Sequence, residues 1–116
     1  MKKEIKLYLA NETVRGGYGP IIEGFEEIMV KRLRRKYKLK VSINEVTELI
    51  HKYNNIYSVG RSFLWDYLPP AKGEYASPGD FDQDNFIARL SNEFPTVDKD
   101  ILELIGRWIV YCEYLL

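Results

Sequence analysis

Ser42-Ile43-Asn44-Glu45-Val46-Thr47-Glu48-Leu49-Ile50-His51-Lys52-Tyr53 is the stretch on which the fold class turns. A serine three residues ahead of a glutamate is the spacing of a capping box, in which each side chain satisfies a backbone amide of the other's residue. Behind it Val46, Leu49, Ile50 and Tyr53 fall on one face of a 3.6-residue period. The pattern predicts an amphipathic helix that ends at Asn54-Asn55, two residues whose side chains compete for backbone hydrogen bonds.

The same signals recur on both sides. Upstream, Ile22, Phe25, Met29, Leu33 and Tyr37 recur every three or four residues, with Glu23, Glu26 and Glu27 near the start and cations near the end, as the helix dipole favours. Downstream, Ser58 can cap a short helix from Val59 to Leu68 that Pro69-Pro70 stops. Asp80 or Asp82 opens a further helix with Phe86, Leu90 and Phe94 on its face, closed by Pro95. Thr96 or Asp98 caps a last one, running to Leu116 through Ile101, Leu104, Ile105, Trp108, Ile109, Cys112 and Leu115. Arg15 to Pro20 and Pro69 to Asp80 are rich in glycine and proline and read as loops. Ile5, Leu7 and Leu9 alternate with Lys6 and Tyr8, and Lys38-Leu39-Lys40-Val41 alternates again, which predicts a short two-stranded ribbon pairing Ile5 to Leu9 with Leu39 to Val41. The expected fold is mainly α: one domain over residues 1–116, a compact bundle of about five helices, with that ribbon at its N-terminal end.

At 116 residues, with 46% apolar and 14% aromatic content, the chain can fill one core without a disulfide or metal staple. Cys112 is the only cysteine, so no internal disulfide can form and a reducing compartment is expected. The N-terminus alternates charged and apolar residues, unlike a secretory signal, and the longest apolar stretch, Ile101 to Leu116, is broken by Glu103, Gly106, Arg107 and Glu113. A cytoplasmic protein with no membrane span is the expectation. Net charge is zero, yet residues 1–61 carry 13 Lys and Arg against 7 Asp and Glu, while residues 62–116 carry 4 against 10. The chain is electrically two-sided.

Catalytic constellations are scarce. His51 is the only histidine and falls off the apolar face of its helix, and Cys112 lies on an apolar helix without a cationic neighbour to activate it. Asp80-Phe81-Asp82-Gln83-Asp84 resembles the opening of a calcium loop, but Asn85 stands where the turn needs glycine and Ser91 where a bidentate glutamate belongs. The glycines near Gly16 match no phosphate-cradling spacing. No catalytic residue, metal site or cofactor is expected, and the chain reads as a non-enzyme.

The sharpest surface feature is the run Lys31, Arg32, Arg34, Arg35, Lys36, Lys38 and Lys40, seven cations in ten residues. Such a cluster can clamp phosphates or meet an acidic protein surface. Residues 42–68 have a helix, turn, helix organisation close to that of a DNA-reading unit, with Arg61 and Trp65 one turn apart on the outer side of its second helix. The residues expected to touch a macromolecule are therefore Lys31, Arg32, Arg34, Arg35, Lys36, Lys38, Arg61 and Trp65.

Ser62-Phe63-Leu64-Trp65-Asp66-Tyr67-Leu68, Phe86-Ile87-Ala88, Phe94-Pro95 and Asp100-Ile101-Leu102-Glu103-Leu104-Ile105 make residues 61–116 similar to the small YozE-type, sterile-alpha-motif-like helical domains of Gram-positive bacteria and their phages. The spacings between these anchors differ from the family's, Thr96 stands where a lysine follows its Phe-Pro turn, and the N-terminal half has no counterpart. The resemblance implies a non-enzymatic helical module that binds protein or nucleic acid. With the small size and the missing chemistry, it gives the functional expectation: a protein-binding inhibitor or adaptor of phage or mobile-element type, acting by occlusion. The alternative is a DNA-binding regulator that uses residues 42–68 and the basic run 31–40. Leu102, Ile109, Val110, Tyr114 and Leu116 spread apolar surface round the side of the C-terminal helix away from Ile101, Leu104, Ile105, Trp108 and Cys112, so this helix is expected either to be sheathed by its neighbours as a central helix or to form a homodimer through its outer face.

Overall fold

Ile5 and Leu9 do not lie on a strand. In the computed structural model, which describes residues 1–15, 23–67 and 82–115, they sit on a helix, α1, spanning Lys3–Val14. The two residues are four apart, a spacing that fits a helix as well as a strand. Ala10, Thr13 and Val14 extend the helical face, and all five are buried. The Thr13 hydroxyl donates to the Leu9 carbonyl at 2.7 Å, so this polar group leaves nothing unsatisfied inside the core. No strand occurs among the described residues, and Leu39 to Val41 form the irregular turn between two helices.

The second helix, α2, spans Phe25–Tyr37 and buries Phe25, Met29, Val30 and Leu33. It stops at Lys38, whose φ of 52° is the left-handed conformation common just past a helix end. Ser42 then starts α3, Ile43–Phe63, its hydroxyl accepting from the Glu45 amide at 3.2 Å. The predicted break at Asn54-Asn55 is absent: α3 runs straight through. Val46, Ile50, Tyr53, Ile56, Tyr57, Gly60 and Phe63 form one unbroken buried stripe across that point. Burial of these groups outweighs an asparagine preference worth about 0.6 kcal/mol per residue. A 3-10 turn, Leu64–Tyr67, closes the helix.

Helix α4, Gln83–Glu93, begins at Asp82, and α5, Lys99–Ile109, begins at Asp98. Each aspartate accepts a backbone amide, from Asn85 at 3.4 Å and from Asp100 at 2.9 Å. The last helix continues as a π-helical turn, Val110–Leu115. The predicted loops at 16–20 and 69–80, Ile22 and Leu116 lie outside the described residues.

Helix α3 is the axis of the bundle. α1, α2 and α5 pack on it, α1 also packs on α5, and α4 lies against α5 and the 3-10 turn. Gly60 and Gly106 make the crossings of α3, α4 and α5 close. A Cβ on Gly60 would stand 2.6 Å from Ile109 Cδ1 and 3.1 Å from Leu90 Cδ2, both on fully buried side chains. A Cβ on Gly106 would overlap the Cδ1 end of Ile87, which is buried but 7% exposed, and stand 3.3 Å from Leu90 Cδ1. Alanine gains up to about 1 kcal/mol of helix preference over glycine, whereas overpacking costs about 1–3 kcal/mol. Both Gly60→Ala and Gly106→Ala are therefore expected to destabilise the fold, Gly60→Ala the more, because the side chains it meets have no exposed surface. Urea unfolding of the two variants side by side checks the order.

Candidate interaction surface

The seven cations of residues 31–40 do not form one patch. At 100° per residue, Arg32 and Lys36 fall on the flank of α2 that faces α1, Arg34 on the flank towards the α2–α3 turn, and Lys31 and Arg35 on the outward side, while Lys38 and Lys40 lie beyond the helix end. The contacts follow this division. Arg32 Nη1 lies 3.6 Å from Glu12 Oε2 on α1. Lys36 Nζ stands 4.2 Å above the Tyr8 ring and 5.5 Å from that of Tyr37, and those two rings meet edge-on at 5.8 Å. Arg34 Nη2 donates to the Val41 carbonyl at 3.0 Å, tying α2 to the entry of α3. Such partly exposed contacts contribute about 0.5–1 kcal/mol each, so these three cations serve the fold.

Lys31, Arg35, Lys38 and Lys40 are exposed and make no ion pair or side-chain hydrogen bond among the described residues. Lys38 and Lys40 follow the C-terminal end of α2, where the helix dipole stabilises positive charge. One turn before Lys31, the same outward face presents Glu27 and Ile28, the latter 36% exposed. The outer side of α2 is thus a cationic stripe with an apolar residue and a carboxylate at its N-terminal end.

Arg61 and Trp65 are not part of this surface. They lie at the far end of α3 from Lys38 and Lys40, and a helix of 21 residues is ~30 Å long. Trp65 is 61% exposed in the 3-10 turn, and Arg61 Nε lies 3.7 Å from Glu113 Oε2. Because residues 43–63 form one helix, the turn on which the helix-turn-helix reading depended does not exist, and neither does a separate recognition helix.

Glu113 holds a contact with no local signature in the sequence. Its Oε1 accepts from the buried Tyr57 hydroxyl at 3.0 Å, linking α3 to the π-helical turn. Trp108 Nε1 similarly donates to Asn11 Oδ1 at 2.7 Å, joining α5 to α1. Their partners are 56 and 97 positions apart in the chain, so no local pattern announces them. Burial pushes the Cys112 thiol above its ordinary value, which disfavours the nucleophilic thiolate. His51 is exposed on α3. Among the described residues no three His, Cys, Asp or Glu side chains are grouped as a metal would need. Asp82 serves as the cap of α4, and Asp80 of the calcium-like stretch lies outside the described residues. Among the described residues no helix is long and apolar enough to cross a membrane.

The described part of the C-terminal helix is largely sheathed by its neighbours, the first of the two arrangements its apolar pattern allows. Leu102 and Ile109 are buried and Val110 is only 7% exposed, because α1, α3 and α4 all pack against α5. The spread of apolar residues round this helix reflects burial within the chain, and Val110 offers no outer face for a second copy. What remains is a shallow groove between α1 and α5, formed by Leu7, Leu104, Trp108 and the half-exposed Tyr111.

No family model, curated protein or solved structure matches the chain. The likeness of residues 61–116 to the YozE-type domains rests on the residues quoted for it.

Proposed function

We propose that this protein is a non-enzymatic binding module that docks on an acidic surface of another protein through the outer side of α2 and acts by occlusion, as an inhibitor or adaptor. The observation that carries this reading is the division of the basic run: three cations are tied to the fold, and four are exposed without a partner among the described residues. A protein fits that face better than nucleic acid does. Ile28 supplies an apolar contact beside the charges, whereas Glu27 on the same side repels a phosphate backbone.

The triple variant Lys31→Glu, Arg35→Glu, Lys38→Glu is expected to keep its melting temperature, since exposed unpaired charges contribute little to stability. It is also expected to lose a partner that the unmutated chain retains from a bacterial lysate after nuclease treatment. The same partner, once purified, should bind Ile28→Ala more weakly and Arg61→Gln as before. Equal retention by the triple variant removes α2 from the interface. Binding to duplex DNA that weakens steeply between low and moderate salt replaces the protein partner with nucleic acid.

A further inference from the structure

A cavity of about 190 Å³ opens between the first turns of α1, the middle of α3 and the α4–α5 turn. That is room for roughly six waters at ~30 Å³ each. None of its lining belongs to the α2 face. Lys3 and Lys6 come from α1, Lys52 and Tyr53 from α3, and Thr96 and Asp98 from the turn, over a floor that includes Ile101.

Tyr53 is the unusual member. It is 1% exposed, yet its hydroxyl has no hydrogen-bond partner among the described residues. Among the described residues, no fully buried side-chain oxygen or nitrogen lacks a partner. The hydroxyl is therefore the part of Tyr53 that reaches the cavity. Burial pushes its ionisation up to about 12, so at ordinary pH it stays a neutral donor. Asp98, the one carboxylate in the lining, is already engaged: its Oδ1 accepts the Asp100 amide at 2.9 Å and lies 3.7 Å from Lys3 Nζ, which also pairs with Asp100. Lys6 and Lys52 have no carboxylate partner among the described residues. The cavity thus offers two uncommitted ammonium groups, a half-exposed one and an exposed one, together with a buried phenol and a hydroxyl from Thr96.

We propose that this cavity binds a phosphate dianion, free or carried on a small organic stem, with Lys6 and Lys52 supplying charge and the Tyr53 hydroxyl donating a hydrogen bond from beneath. Two cations match a dianion better than a single carboxylate, and donors arriving from three separate elements suit a tetrahedral group that accepts from several directions. The volume admits a phosphate and a few further atoms and excludes a polymer strand. A ligand held there bridges α1, α3 and the α4–α5 turn, so it stabilises the whole bundle by mass action.

The test is a titration with inorganic phosphate and with O-phosphoserine, against sodium chloride and malonate at equal ionic strength, read by melting temperature and calorimetry. The expected result is a saturable rise in melting temperature with phosphate, absent with chloride and weaker with malonate. Tyr53→Phe and Lys52→Gln should each weaken binding roughly tenfold, the loss of one hydrogen bond to a charged group. Both should leave the unliganded melting temperature unchanged, because neither group has a partner to lose. Lys52 is exposed, so its variant carries the test even if Tyr53→Phe alters packing. Equal affinity for the two phosphates assigns the site to the free ion, and tighter phosphoserine binding assigns it to a phosphorylated small molecule. The proposal fails if phosphate acts no differently from chloride, if malonate binds as well, or if both variants bind phosphate as the unmutated chain does.

Discussion

Between the ordinary tyrosine value of 10.0 and about pH 12, the fold is expected to lose several kcal/mol of stability, chiefly through Tyr53 and Tyr57. Burial raises both phenols above the value they have in the unfolded chain. For Tyr57 the hydrogen bond to Glu113 adds to the effect of burial. A group whose neutral form is favoured by folding contributes its full share below the unfolded value. It loses that share as pH rises towards the folded one, because the unfolded chain releases its proton first. Each unit of pH in that window costs about 1.4 kcal/mol per tyrosine, so Tyr53 accounts for about 3 kcal/mol by pH 12 and Tyr57 for a similar amount. Their sum is comparable with the whole stability of an ordinary domain, 5–15 kcal/mol. Urea unfolding at about pH 9 and again near pH 12 measures the loss. The double variant Tyr53→Phe, Tyr57→Phe should be less stable at neutral pH, by the roughly 1 kcal/mol of the bond to Glu113, yet fall much less steeply across the alkaline range, where the Cys112 thiol, also raised by burial, still contributes. An equally steep fall in the double variant assigns the alkaline sensitivity to other groups.

Tyr53 shows where the sequence stops being informative. Its place on the apolar face of α3 was legible, as were the Ser42 cap and the dipole-matched charges of α2, because each is written within one or two helical turns; for the last two helices the sequence offered Asp80 or Asp82 and Thr96 or Asp98, of which Asp82 and Asp98 are the caps. The ring of Lys6, Lys52, Tyr53 and Thr96 was not, because its members are distant in the chain and only the packing of α1 and α5 against α3 brings them together. The errors have the same origin. Ile5 and Leu9 fit both periods, and Asn54-Asn55 carried a local signal that long-range burial overrode. The basic run was different, since its division within α2 could have been read from the helical wheel: Arg32 and Lys36 are four apart and share a flank, while Lys31 and Arg35, also four apart, share the outer side.

Replacing Phe86 by alanine is expected to cost about 3–5 kcal/mol, enough to leave the chain partly unfolded at 37 °C. Phe86 is fully buried on α4, its ring 5.5 Å from that of Phe63 and 6.0 Å from that of Tyr67. It also reaches the two glycines at the helix crossings: a Cβ at Gly60 or Gly106 would come 3.6 Å from its edge. The space left by the ring lies among the rings of Phe63 and Tyr67 and beside both close crossings, where neighbours can relax only partly, so the cost includes a cavity as well as lost burial. Arg89 adds a surface cover, its guanidinium 4.3 Å from the Phe63 ring and bonded to Asp66 at 3.1 Å, but it lies on the wet side of the cluster and does not fill the cavity. The aromatic contact can be separated from simple burial by a cycle of Phe63→Leu, Phe86→Leu and the double variant. Rings packed in this way couple by about 0.5–1.5 kcal/mol beyond the area they bury, so the double variant should be more stable than the sum of the two single losses predicts. Strict additivity would leave burial alone as the source of the effect. A loss under about 2 kcal/mol for Phe86→Ala would mean that α4 settles onto α5 without the ring, contrary to the fixed crossings that Gly60 and Gly106 set.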